Sequence, residues 1–184
     1  MSAVLTAPAV DTDRYRLPAI VLHWLIALLI IGMLCLGYYM TGLPKNTPER
    51  SFYLNLHKSF GLLAAMLILL RLGWRVSHLV PPFPATMPSW ETLAARWSHR
   101  LLYACMVLQP LTGYLSSSFN KFGIKFFGLS LPNWGWEDKY LRELFAQFHG
   151  VIAVILIVLI VIHLLAALKH LLIDRDRVFQ RMLP

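Results

Sequence analysis

Charge is what this 184-residue chain lacks most. Asp, Glu, Lys and Arg together make up 14 % of it, and only nine residues are acidic, whereas 58 % are hydrophobic. A water-soluble domain of this length carries about a quarter of its residues as charge to cover its surface, so that class is excluded. Cysteine is nearly absent. Cys35 and Cys105 both fall within long apolar runs, which gives no disulfide framework and reads as small apolar side chains. Proline and glycine are scarce inside those runs and gather between them, which favours helices over a membrane barrel. A secretion signal is missing as well. The first seventeen residues hold Asp11, Asp13, Arg14 and Arg16, and the apolar run after them is too long for a signal core, so it is expected to stay as a span. Repeats, low-complexity tracts and a second domain are all absent, which makes residues 1–184 one domain.

What is present is four apolar runs, at approximately 18–40, 54–76, 95–117 and 145–170. Each is long enough to cross about 30 Å of hydrocarbon, which takes about 20 helical residues. The expected fold is an all-α membrane protein, an antiparallel bundle of four transmembrane helices embedded in lipid. The net charge of +8 would suggest nucleic acid on a soluble protein. Here the basic residues are scattered beside spans, so nucleic acid is excluded as a partner and the charges report orientation instead. Arg14, Arg16, Arg71, Arg75, Arg96, Arg100, Lys169, Arg175, Arg177 and Arg181 fall on one side, ten against the seven of the other two connections. That excess places both termini in the cytoplasm. The second connection, VPPFPATMP, holds Pro81, Pro82, Pro84 and Pro88 and reads as a compact turn. The third, from Asn120 to Tyr140, is the longest and is expected to lie partly on the membrane surface. Trp134 and Trp136, like Trp24, Trp74 and Trp97, suit interfacial anchoring.

The histidines carry the chemistry. An ionisable side chain inside a span is costly without a partner and marks a functional site by default. On the fourth run His149 and His163 stand fourteen residues apart, almost four helical turns. They share one face about 21 Å apart along the axis, one near each membrane surface. His23 begins the first run and His57 the second. In an antiparallel bundle His23 comes level with His163, and His57 with His149. Two imidazoles facing each other across a bundle can hold a metal or a haem iron. A bare zinc site wants four ligands, and neither pair has two more at its depth. A haem supplies four nitrogens itself and needs two axial histidines. A small residue follows each of the four at i+4 (Ala27, Gly61, Ala153, Ala167), on the same helix face.

The other histidines read differently. His170, seven residues past His163 and about 10 Å nearer the cytoplasm, suits a quinone hydrogen bond or a haem-propionate contact. His99 opens the third run and is either an interfacial residue or a replacement ligand for His23 or His163. His78 reads as a surface residue. Arg71, Arg75 and Arg100 cluster at the cytoplasmic ends of the second and third runs. They serve snorkelling and topology, and propionates would find charge-assisted donors there. On the outer side Lys45, Arg50, Lys58, Lys121 and Lys125 form a basic surface over the His57 level, suited to an acidic partner or a small anion.

Several stretches resemble the bacterial cytochrome b561 family of four-helix dihaem membrane proteins: LHWL (22–25), LHKSFGLL (56–63), RWSHRLLYACMVLQPLTGYLSS (96–117), FHG (148–150) and VIHLLAALKHLLIDRDRVFQRML (161–183). The resemblance runs from about residue 14 to the end. It implies two b-type haems, the cytoplasmic one on His23 and His163 and the outer one on His57 and His149, in a bacterial inner membrane. It also implies quinone chemistry beside the cytoplasmic haem, with His170 as the quinone-side histidine. One related member adds a sharper expectation: the outer haem oxidises superoxide and the electrons reduce ubiquinone. In that member a serine two residues before the first-helix ligand is linked to the quinone, and here that position is Val21. Bis-histidine ligation leaves no open iron position, which favours outer-sphere electron transfer over oxygen binding. The leading expectation is therefore a transmembrane electron carrier between an outer donor, superoxide or a protein, and the quinone pool. Its alternatives are the haem-binding anchor of a larger oxidoreductase and a haem-free transporter or assembly protein.

Overall fold

The computed structural model describes residues 14–132 and 134–183. Four long helices dominate it: α1 (Leu17–Gly42), α2 (Pro48–Ser77), α3 (Ser89–Ser118) and α4 (Lys139–Lys169). Among the described residues α1, α2 and the stretch Lys139–Asp174 are long and apolar enough to cross a membrane. Helix α3 is as long as α2, but Glu91, Arg96, His99 and Arg100 load its first half with polar groups, and it falls short of that standard.

Each helix extends beyond its expected apolar run, and the starts are set by local chemistry. Thr47 caps α2, its Oγ1 accepting from the Arg50 N–H at 3.3 Å, with Pro48 in the first turn. Asp138 caps α4 by accepting from the Leu141 N–H at 3.0 Å. Pro110 stands inside α3 and removes one backbone donor there. At its C-terminal end α4 runs into a π-helical turn, His170–Asp174, and a short 3₁₀ helix, Phe179–Met182, follows.

Helix α1 packs on α2, α2 on α3 and α3 on α4. Ile26, Ala64 and Ile68 form the buried centre of the first contact, with Leu22, Leu29, Leu67, Met106 and Val107 around it. Most other large apolar side chains point outward, among them Leu28, Leu69, Val154 and Leu165. In water such a surface would drive aggregation, and in lipid it is the solvated face. On α4 the buried residue is Leu156, 2 % exposed.

The third connection carries structure that the sequence did not foretell. Strands β1 (Lys125–Phe126) and β2 (Leu129–Ser130) pair antiparallel, Lys125 with Ser130 and Phe126 with Leu129. The two turn residues adopt positive φ, 45° at Phe127 and 92° at Gly128, the backbone of a tight hairpin. Buried Ser59 on α2 pins it: its Oγ accepts from the Phe127 N–H at 2.9 Å and donates to the Asn55 carbonyl at 2.9 Å. The hairpin therefore sits two residues along α2 from His57.

Candidate functional site

Helix α4 presents His149, Leu156, His163 and His170 at intervals of seven residues, close to two turns each, so all four lie along one side. Facing helices bring their own histidines to it. The rings of His57 on α2 and His149 on α4 stand 6.1 Å apart between centroids. Those of His23 on α1 and His163 on α4 stand 6.2 Å apart. The two pairings expected from the sequence are both present as close approaches. A third ring joins the inner one: His99 on α3 lies 5.5 Å from His163, so it is part of that cluster.

The spacing suits a metal between the rings. A metal–imidazole bond is about 2 Å, and each ring centroid lies a little over 1 Å behind its nitrogen, so trans imidazoles on one metal have centroids about 6 Å apart. The surroundings of the outer pair fit the same use. His149 Nδ1 donates to the Gln109 carbonyl at 2.9 Å, which fixes the proton on that nitrogen and leaves the lone pair on Nε2. The Gln109 side-chain amide meets Nε2 at 3.1 Å, and its Oε1 is buried without a partner. His57 Nδ1 is likewise buried and unpartnered. A polar atom left so costs about 1–3 kcal/mol unless something other than polypeptide engages the ring.

Glycines let the rings lie against backbone. A Cβ at Gly113 would come within 3.0 Å of His149 Cε1, and one at Gly37 within 3.4 Å of His57 Cε1. Sequence spacing missed both, because each stands on a different helix from the ring it faces. Of the small residues at i+4, Gly61 faces Met33 rather than a histidine.

The inner end holds the arginines. Arg71 is buried at 9 % exposure, donating to the Ala19 carbonyl at 2.6 Å and to the Tyr103 hydroxyl at 3.2 Å. Arg75 lies over the Tyr103 ring, its guanidinium carbon 5.2 Å from the centroid. With Arg16 and Tyr15 they line a shallow pocket one turn from His23, and among the described residues no carboxylate lines it. Arg100 does not join them; it is exposed and stacks on Trp97 at 5.1 Å. His78, expected at the surface, is half-buried at the edge of this pocket and stacks on Trp74 with centroids 3.7 Å apart. His170 is buried at 7 % exposure in the π turn, its Nδ1 2.7 Å from Asp176 Oδ2. Val21 is 53 % exposed on α1 and has no polar group to offer a quinone.

Cys35 and Cys105 are both free, in keeping with their reading as apolar side chains. Near the His57 level the Lys58 ammonium donates to the Gly123 carbonyl at 3.4 Å, which ties this basic residue to the loop before the hairpin.

Comparison with known proteins gives the family. The family model described as prokaryotic cytochrome b561 matches residues 14–184. Cytochrome b561 homolog 2 of Escherichia coli (strain K12) is 33 % identical, over 93 % of this chain and 92 % of that protein. Cytochrome b561 homolog 1 of the same organism is 26 % identical, over 94 % and 98 %. A protein of Yersinia pestis named probable superoxide oxidase CybB is 25 % identical, over 93 % and 96 %. Paired histidines on apolar helices, and a family match that takes in every one of them, lead to one conclusion: this chain belongs to the prokaryotic cytochrome b561 family, membrane proteins that carry electrons through haem b.

Proposed function

We propose that the chain holds two haems b, one between His23 and His163 and one between His57 and His149, and passes electrons from an outer donor to a quinone. The observation that carries this is the repeated geometry: two ring pairs at 6.2 and 6.1 Å that share α4 at a spacing of fourteen residues. Helix α3 completes the bundle as a fourth span, its charged first half lying at the cytoplasmic interface. Both termini are then cytoplasmic, in a bacterial inner membrane.

The bound haems supply reversible one-electron chemistry, and the polypeptide supplies the rest. The four histidines would hold the haems, two at each level, and with two protein ligands per iron a small molecule would find no open position there. Leu156, buried midway between the levels, keeps the gap between them apolar and dry. Arg71 and Arg75 offer charge-assisted donors to the propionates of the inner haem, which accounts for a buried guanidinium with no carboxylate beside it among the described residues. His170 serves the quinone, ubiquinone in this reading.

The donor is superoxide or a periplasmic protein, and the basic outer residues Lys45, Arg50, Lys58, Lys121 and Lys125 draw an anion in. The name of the Yersinia pestis relative favours superoxide. Each superoxide would give up one electron and leave as dioxygen, so two are consumed per quinone.

The test is a reduced-minus-oxidised visible spectrum with haem quantified per chain. Wild type is expected to hold about two haems, and His57→Ala and His163→Ala about one each. His99→Ala is expected to keep both. Haem content indifferent to His57 and His163 would end the ligand assignment.

A further inference from the structure

At the cytoplasmic end of α4 the chain folds back on itself. After the π turn His170–Asp174, Arg175 and Arg177 adopt left-handed backbone, with φ of 53° and 65°. The reversal returns Asp176 to the ring six residues before it. Asp176 Oδ2 lies 2.7 Å from His170 Nδ1, while Oδ1 accepts from the Val178 N–H at 3.1 Å. Both carboxylate oxygens are thus engaged and the side chain is fixed.

The charged neighbours are matched elsewhere. Lys169 Nζ lies 2.6 Å from Asp174 and 2.8 Å from Glu91. That ammonium takes the place a metal ion would need among Glu91, Asp174 and His170. Asp174 stands farther from the ring nitrogen, at 3.3 Å. Asp176 makes no ion pair with Lys or Arg among the described residues, and His170 is its partner. The ring's Nε2 makes no hydrogen bond among them.

We propose that Asp176 is the positioning residue that makes His170 the proton donor for quinone reduction; this rests on the quinone reading above. By accepting from Nδ1 the carboxylate holds one proton there and fixes the ring plane, which leaves Nε2 as the working end. Quinone becomes quinol by taking two electrons, delivered one at a time through haem, and two protons. Each proton leaves Nε2 of the doubly protonated ring for a quinone oxygen, while the Nδ1 proton stays on the bond to Asp176. Water at the cytoplasmic edge, where the Asp176 side chain is 17 % exposed, returns a proton to Nε2 before the second transfer. The balance per quinol is two electrons from haem and two protons from the cytoplasm.

The test separates electron transfer from proton transfer in the full-length haem-loaded protein. Pre-reduced haem is mixed with either a short-chain ubiquinone analogue or ferricyanide, which takes an electron and no proton, and reoxidation is followed optically. Asp176→Asn is expected to slow reoxidation by the quinone at least about tenfold, leave ferricyanide unaffected, and leave haem content unchanged. Asp176→Glu is expected to recover most of the quinone rate. Should Asp176→Asn fail to load haem, His170→Asn serves in its place with the same acceptor-selective loss expected. Equal quinone rates in Asp176→Asn and wild type, or equal slowing with both acceptors, would overturn the proposal while the quinone reading stands. Wild-type haem that ferricyanide oxidises and the quinone does not would overturn both.

Discussion

His149 shows how an α-helical membrane protein holds an imidazole still. The ring is half-buried, lies against Gly113, and gives its Nδ1 proton to the Gln109 carbonyl one turn earlier on α3. A methyl group at 113 would press on Cε1 at 3.0 Å and on Nδ1 at 3.1 Å, tight enough that the ring must shift to make room. Gly113→Ala is therefore expected to cut haem content from about two per chain toward one, with the outer haem lost. Gly32→Ala, where nothing lies within 4 Å, is expected to retain both, and haem assay of the purified variants decides it. The pairing of the histidines was legible in the sequence because 14 residues is nearly four whole turns, a relation within one helix. Gly113 and Gln109 were not legible, because their closeness to His149 depends on how α3 leans on α4.

At the scale of the element, the apolar runs gave the number of long helices but not their limits. Helix α2 starts at Pro48 and α4 at Lys139, about six residues before their expected spans, because a helix begins at its cap and an apolar run begins at the lipid. Asp138→Ala removes one such cap. It is expected to cost about 1 kcal/mol and to lower the temperature of thermal haem loss by about 2–4 °C, with the spectrum at room temperature unchanged. The hairpin at 125–130 escaped notice for a different reason. Strands of two residues carry no periodicity, and this pair is held by Ser59 from another helix. The turn at Arg175 and Arg177 was equally hidden, since neither residue type favours positive φ and the Asp176–His170 bond helps hold it.

For the whole molecule, placement in the bilayer governs every other inference. The proposed orientation, which the excess of basic residues on one side supports, ten against seven, has both termini and the Arg71 pocket in the cytoplasm and the hairpin outside. Single cysteines test this in a variant lacking Cys35 and Cys105. A membrane-impermeant thiol reagent is expected to label Lys121→Cys in intact spheroplasts, and Arg177→Cys only after lysis. The opposite pattern would invert the topology and move the proposed quinone site to the outer face.

The sequence by itself determined that this is a helical membrane protein and which histidines come level with one another. Composition, run length and helical periodicity are local properties, and burying an imidazole in lipid is costly enough to single it out. Tertiary structure decided what each ring meets. It brought His99 to 5.5 Å from His163, turned Arg71 inward and Arg100 outward, set Gly37 and Gly113 against the His57 and His149 rings, and returned Asp176 to His170. Those contacts join residues on different helices or across a reversed turn, and their distances are set by how the helices pack, which no single helix's sequence encodes.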